Sequence, residues 1–379
     1  MLAISREFQV FLKPVGALCN LGCSYCYYLE KTRLFGQDST VLMQDDLLEL
    51  YIRQHIEAST EPVIPFSWHG GEPLLAGLDF FRKALSLQKK WKPAGRTIMN
   101  GVQTNGTLLD ESWVKLLAEE NFRLGISMDG PEDLHDQFRK TRDGKGSFQK
   151  ALQGYDLALL NGIDPEILCV LNADNVKHPL VIYRYFKKLG AKTMTFLPLV
   201  EHHTSGNGLV SDRSVRPEDF GTFLCTVFNE WVEHDIGKVK IQIFEEALRF
   251  AFKQEHTLCI FKPVCGGVPV VEHNGDFYSC DHYVDIKHRI GNISDVTLAE
   301  MMDSDQQKVF GLYKQLSLPK FCLDCEVRMM CHGECPKNRF IHTPTGEPGL
   351  NYLCAGYKRF FKHCLPFVEA VSREYTRKI

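Results

Sequence analysis

Between residue 8 and about residue 236, short runs of apolar, β-branched and aromatic residues alternate with longer stretches in which apolar side chains recur at helical spacing. The runs are Phe8 to Leu12, Ile64 to Trp68, Ile98 to Gln103, Phe122 to Met128, Ile167 to Leu171 and Met194 to Leu199, and each reads as a strand. The first intervening stretch shows the other pattern: Leu47, Leu48, Tyr51, Ile52 and Ile56 recur at helical spacing, and Asp45 and Asp46 sit early, where the helix dipole favours anions. Strand and helix alternating in this way predict an α/β fold, a parallel sheet with helices outside it. Periodicity alone does not separate a doubly wound sheet from a partial barrel.

After residue 236 the pattern changes. A helical stretch from Ile241 to Lys253 leads into a region of Gly, Pro, short strands and many cysteines. Within it Val268 to His273 and Asp276 to Cys280 flank Asn274-Gly275, a strong hairpin signal because a two-residue turn places both central residues at positive φ. The expected organisation is a strand–helix domain over 1–236, a helical linker over 237–258 and a Cys-rich α+β domain over 259–379 that ends in a helix.

The chain has 379 residues, 44% of them hydrophobic and 24% charged, the composition of a soluble globular protein of two or three domains. A net charge of −3 without a basic run gives no sign of nucleic acid or an anionic membrane as partner. The first residues, MLAISREFQVFLKP, lack an apolar core followed by a small-residue cleavage site, so a cytoplasmic protein is expected. That expectation changes how the 14 cysteines are read. In a secreted chain they would suggest disulfides; in a cytosolic one, clusters of Cys suggest metal or catalytic sites.

Three of them, Cys19, Cys23 and Cys26, form C-x3-C-x2-C directly after the first strand. A [4Fe–4S] cluster held by only three thiolates keeps one iron open for another ligand, as a catalytic zinc site keeps an open position. A zinc loop short of one ligand, or a set of buried thiols, are the other readings of this spacing. The segment CNLGCSYC resembles the signature of the radical S-adenosylmethionine (SAM) superfamily, in which the open iron chelates the amino and carboxylate groups of SAM. One-electron reduction there cleaves SAM to methionine and a 5′-deoxyadenosyl radical. The resemblance implies a (β/α)6 partial TIM barrel over 1–236, with its chemistry at the C-terminal ends of the strands.

A second cysteine field comprises Cys259, Cys265, Cys280, Cys322, Cys325, Cys331, Cys335 and Cys354. Zinc ribbons also use C-x2-C pairs, so spacing leaves zinc open for this half. The pattern C-x9-G-x4-C followed by C-x2-C-x5-C-x3-C and one more Cys resembles the SPASM domain, which holds auxiliary clusters in radical SAM enzymes that modify peptides. That resemblance implies one cluster on Cys259, Cys265, Cys280 and Cys335 and another on Cys322, Cys325, Cys331 and Cys354, three [4Fe–4S] clusters in all. Cys169, Cys225 and Cys364 read as small buried hydrophobes.

The resemblance extends to SAM contacts. His69-Gly70-Gly71-Glu72-Pro73, at the end of the second strand, is similar to the GGE motif whose backbone and carboxylate meet the SAM amino group, and a bare glycine backbone can approach a ligand where a Cβ would collide. Ser127 in GISMDGP and Arg139 in HDQFRKTRDGKGSF match positions that contact SAM, and Tyr25 is placed for an adenine contact.

Beyond these, WHGGEPLLAGL, ISMDGPEDLHDQFRK, TMTFLPLVE, VKIQIFEEALR, SCDHYV and CEVRMMCHGECPKNRF together resemble anaerobic sulfatase-maturating enzymes. Those enzymes oxidise a Cys or Ser of a sulfatase to Cα-formylglycine. The family implies Asp281 as general base and Tyr28 as a substrate contact. Its implied partners are an unfolded or nascent sulfatase polypeptide and a low-potential electron donor such as ferredoxin or flavodoxin. Thioether or carbon–carbon crosslinking of another peptide is the competing activity on the same scaffold. A non-catalytic iron–sulfur or zinc protein is the competing class.

Overall fold

The computed structural model describes residues 8–28, 31, 34, 42–203 and 209–377. In chain order its main strands are β1 (Phe11–Lys13), β2 (Val63–Trp68), β3 (Thr97–Thr104), β4 (Arg123–Ser127), β5 (Glu166–Leu171), β6 (Thr193–Pro198), β7 (Lys240–Ile241), β8 (Val270–Glu272), β9 (Asp276–Tyr278) and β10 (Arg289–Asn292). The six runs expected from the sequence coincide with β1 to β6, displaced by a few residues at most. Contacts divide the chain into two compact units that are not contiguous in sequence. The first takes the described residues of Met1–Ser127, Phe138–Pro165 and Gly266–Gly311; the second takes those of Met128–Gln137, Glu166–Cys265 and Leu312–Ile379.

In the first unit the strand order is β10-β9-β8-β1-β2-β3-β4. β1 pairs in parallel with β2 on one side and with β8 on the other. β2 and β3 run in parallel register from Val63 opposite Thr97 to Trp68 opposite Val102. The Cys-rich half of the sequence therefore supplies the outer strands of the sheet that the N-terminal strand begins. The helix Asp45–Ala58 forms where expected and buries Leu48, Tyr51, Ile52 and Ile56.

The hairpin at Asn274-Gly275 differs in its turn. Val270 pairs with Tyr278 and Val271 with Phe277, so three residues connect the strands, and Gly275 alone adopts positive φ, at 85°. A three-residue connection combines an ordinary turn with one left-handed residue. Its third strand, β10, carried no signal in the apolar pattern: its four residues, Arg-Ile-Gly-Asn, include one apolar side chain.

The second unit holds β5, β6 and β7 in parallel pairs and the long helices Pro217–His234 and Cys354–Arg377. Those helices meet at a glycine contact, where a Cβ on Gly356 would lie 2.4 Å from the Pro217 carbonyl oxygen. Residues 237–258, expected as a linker, contain the helix Gln242–Ala251, which buries Ile243, Phe244, Glu246 and Ala247 and is integral to this unit. Among the described residues no helix is long and apolar enough to cross a membrane.

Candidate active site

The loop after β1 carries Cys19, Cys23 and Cys26. It is pinned from both sides: Gly22 N–H donates to Lys140 O at 2.8 Å and Ser24 N–H to Phe138 O at 3.2 Å, while Cys26 N–H bonds Cys23 O at 3.1 Å. A polar chain from the end of β3 supports the first cysteine. Asn105 Nδ2 donates to Asn20 Oδ1 at 2.9 Å, Asn20 Nδ2 to Thr107 Oγ1 at 2.8 Å, and Leu21 N–H approaches Cys19 Sγ at 3.4 Å. Burial pushes the Cys19 thiol up to about 11; Leu21 opposes this, while Glu72, Cys23 and Cys26 add to it. Three crowded thiols favour loss of their protons only beside a strongly cationic group. An iron cluster provides that charge, and the donor set fits one with a single open iron.

Gly71 is packed against this loop. Its N–H donates to Gly16 O at 2.8 Å, Glu72 N–H donates to Leu18 O at 2.8 Å, and a Cβ on Gly71 would come within 2.1 Å of that Leu18 oxygen. The close approach met by the bare backbone is thus to the cysteine loop itself. Glu72 is fully buried, and its carboxylate accepts from Leu74 N at 3.1 Å, Thr104 Oγ1 at 2.7 Å and Asn105 N at 2.8 Å. Ser127 ends β4 and accepts from Gln103 Nε2 at 3.1 Å. Arg139 and Tyr25, both buried, meet as a cation over a ring with 5.6 Å between the guanidinium carbon and the ring centroid.

Asp281 opens a short helical turn immediately after Cys280. Lys13, the last residue of β1 and 2% exposed, places its ammonium 2.5 Å from Asp281 Oδ1, and the Tyr27 hydroxyl donates to Oδ2. Burial pushes the Asp281 carboxyl up, but the Lys13 charge, then His282 and the hydrogen bonds from Lys13 and Tyr27, more than offset this and hold it well below the usual carboxylate range. His69 is pushed down to about 3 by burial, with Lys13 adding and Asp281 opposing.

Tyr28, expected to face a substrate, is 3% exposed and packs with Ala17, Val270, Tyr278 and Val284. Its ring lies under the Lys13 ammonium, 4.0 Å from the centroid, and its hydroxyl donates to the buried Glu272. The neighbouring Tyr27 is the accessible one, at 48% exposure. Lys13, Tyr27, Asn105 and Thr104 were not among the expected site residues. A lysine closing the apolar run Phe-Leu-Lys, at the C-terminal end of a buried strand, was the one available signal.

In the second unit Cys322, Cys325, Cys331 and Cys354 all line one small cavity, together with Phe321, Val327, Leu350 and Tyr357. Cys335 stands apart from it, in electrostatic reach of Cys265, which is in turn a neighbour of Cys259. The fourth cysteine of the C-x2-C-x5-C-x3-C run is therefore grouped away from the other three. Four thiols around one largely apolar space fit a cluster held wholly by protein.

Residues 14–181 match the radical SAM superfamily, and residues 265–326 match an iron–sulfur cluster-binding domain. The serine-type anaerobic sulfatase-maturating enzyme of Bacteroides thetaiotaomicron is 44% identical to this chain, across 98% of it and 92% of that protein. This chain belongs to the anaerobic sulfatase-maturating enzymes. The cysteine-type enzyme of Clostridium perfringens is 33% identical, over 94% of this chain and 96% of its own length. A solved structure of native anSMEcpe with bound AdoMet and the Cp18Cys peptide superposes with a TM-score of 0.87 at 32% identity, covering 97% of this chain and 99% of that one. The fold expected of such an enzyme, a radical SAM partial barrel followed by a SPASM domain, is the one this maturase has.

Proposed function

We propose that this maturase oxidises the Cβ of a Cys or Ser in a sulfatase polypeptide, unfolded or nascent, to the aldehyde of Cα-formylglycine, with Asp281 as the general base. Its cofactors are SAM and three [4Fe–4S] clusters, with ferredoxin or flavodoxin as the low-potential electron donor. When bound, SAM on the open-iron cluster supplies hydrogen abstraction from the substrate carbon. Cys19, Cys23 and Cys26 hold that cluster. Tyr25, Gly70, Gly71, Ser127 and Arg139 bind SAM, and Glu72, its oxygens committed to Leu74, Thr104 and Asn105, keeps the glycine turn in shape around it.

The observation that carries the reading is the Lys13–Asp281–Tyr27 triplet, in the same compact unit as the three-cysteine loop. Each Asp281 oxygen has a partner, the buried Lys13 ammonium as an ion pair at Oδ1 and the hydroxyl of the accessible Tyr27 at Oδ2. An arriving thiol or hydroxyl displaces Tyr27 at Oδ2, while Lys13 keeps the carboxylate ionised and oriented. As the substrate radical gives up its second electron its S–H or O–H becomes strongly acidic, so a carboxylate of low basicity suffices to take the proton. Tyr28 acts on substrate through Lys13, since its own hydroxyl is given to Glu272.

The test is to incubate anaerobically reconstituted protein with SAM, reductant and short Cys- or Ser-containing sulfatase-motif peptides, then weigh the products. The aldehyde is expected. Deoxyadenosine release with a thioether or carbon–carbon crosslink in place of the aldehyde would overturn the assignment.

A further inference from the structure

The second unit places two cations, the buried Lys314 and the half-buried Arg339, among the cysteines of the second field. Lys314, in the helix Asp305–Leu316, is 0% exposed, and its ammonium donates to the carbonyl oxygens of Cys259 at 2.7 Å and Ile260 at 2.8 Å. Arg339 donates to the carbonyls of Gly333, Lys314, His332 and Glu334 at 2.9, 2.6, 2.9 and 3.1 Å. Lys314 spends its donors on main-chain oxygens, and so does Arg339 apart from a 3.5 Å bond to Ser317 Oγ. The nearby acid, Glu334, is 3% exposed and is held by the side-chain amides of Asn338 and Asn351.

A buried ammonium that does not pair with a carboxylate is costly unless another anion stands close. The charge neighbours of Lys314 are the thiols of Cys265, Cys259 and Cys335, with Glu334. Those of Arg339 begin with Cys322. Four thiolates on an iron–sulfur core carry a net negative charge that grows by one on reduction, and the potential of such a cluster follows the charge around it. A fixed positive charge at the ligands therefore favours the reduced form.

We propose that Lys314 raises the reduction potential of the auxiliary cluster whose ligands include Cys259, Cys265 and Cys335, and so makes that cluster the acceptor of the second substrate electron. The inference rests on the proposed oxidation: one electron leaves the substrate carbon for this cluster, and the accompanying proton goes to Asp281. Lys314 touches neither substrate nor reacting atoms, so it is a positioning residue whose effect is electrostatic.

Redox titration of the anaerobically reconstituted holoenzyme, read by electron paramagnetic resonance without SAM or peptide, tests this. Lys314→Met and Lys314→Gln should both retain three clusters. One midpoint should fall by the equivalent of at least tenfold in the reduction equilibrium, about 59 mV for one electron, with the other two unmoved. Three parental midpoints in either variant would overturn the proposal. If both neutral variants fail to load that cluster, Lys314→Arg decides: loading with a parental midpoint supports the role of charge, and failure to load reduces Lys314 to a structural cap on Cys259 and Ile260. Because the readout needs no substrate, an enzyme that makes no aldehyde would leave the result intact, and the two readings fail separately.

Discussion

The loop of Cys19, Cys23 and Cys26 and the cavity of Cys322, Cys325, Cys331 and Cys354 offer the same donor atom in opposite surroundings. The loop hangs at the end of a strand, with amides of Asn20 and Asn105 around its first sulfur and a tyrosine under an arginine beside it. The cavity is walled by Phe321, Val327, Leu350 and Tyr357, and its four cysteines come from the beginning, middle and end of a stretch of more than thirty residues. On the proposed division of ligands, three on one short loop leave a coordination site to be filled by a reactant. Four ligands gathered from distant positions close the coordination shell and tie the chain together. On the proposed function the same comparison separates catalysis from electron storage.

The most damaging way to break it is to replace Cys19, Cys23 and Cys26 together by Ala. SAM cleavage should vanish, while iron falls by only about a third, the share of one [4Fe–4S] cluster among three. The matching change in the cavity, Cys354→Ala, should lower iron by a similar amount yet leave SAM cleavage measurable and reduce thermal stability. Equal loss of SAM cleavage in the two would erase the distinction between an open and a closed site.

Next in size is Asp281→Asn, which keeps volume and removes the basic oxygen. Formylglycine formation should fall by roughly 10² to 10⁴, with deoxyadenosine release preserved. The sign of its pH dependence follows from the depressed carboxyl. Asp281 adds stability that is fully present above the unfolded value of about 3.9 and lost as pH falls through the lower folded one. The parent and the variant should therefore differ by a constant factor between pH 6.5 and 8, measured as product per deoxyadenosine.

Tyr28→Phe removes the hydroxyl that serves Glu272, leaving a buried carboxylate oxygen without its donor at a cost of about 1–3 kcal/mol. A lower urea midpoint and weaker coupling of SAM cleavage to peptide oxidation are expected. Unchanged stability would mean that Glu272 finds another donor. The smallest effect belongs to Tyr27→Phe. If Tyr27 only keeps its place until substrate arrives, KM for peptide should change by less than tenfold with kcat nearly constant; a large fall in kcat would assign it a part in proton transfer.

The barrel strands were legible because β-branched and aromatic runs have few alternatives, and the two cysteine fields because their spacing is visible in the sequence itself. Lys13 and Lys314 were not legible, for a common reason. Amphipathic reading puts charge outside, and on the helix Asp305–Leu316 it fails: Gln307 and Lys314 are buried while Val309, Leu312, Tyr313 and Leu316 are exposed. A buried cation is justified only by what surrounds it in space. The burial of Tyr28 was hidden for another reason, since adjacency to Cys26 fixes its backbone but leaves open whether its ring or that of Tyr27 turns inward.

The pairing of β1 with β8 has a consequence for biogenesis. The strand that launches the three-cysteine loop can join β2 once some seventy residues exist, yet its other neighbour lies at Val270–Glu272, more than two hundred and fifty residues later. Contacts of such high sequence separation form slowly and late, and domains emerge from the ribosome N-terminus first. On a nascent chain the edge of β1, with Lys13 at its tip, stays open until the C-terminal third has been made. Lys13 and Asp281 can meet only afterwards, so the proposed proton acceptor is assembled as the last strands dock, and a prematurely terminated chain would carry the three-cysteine loop without it.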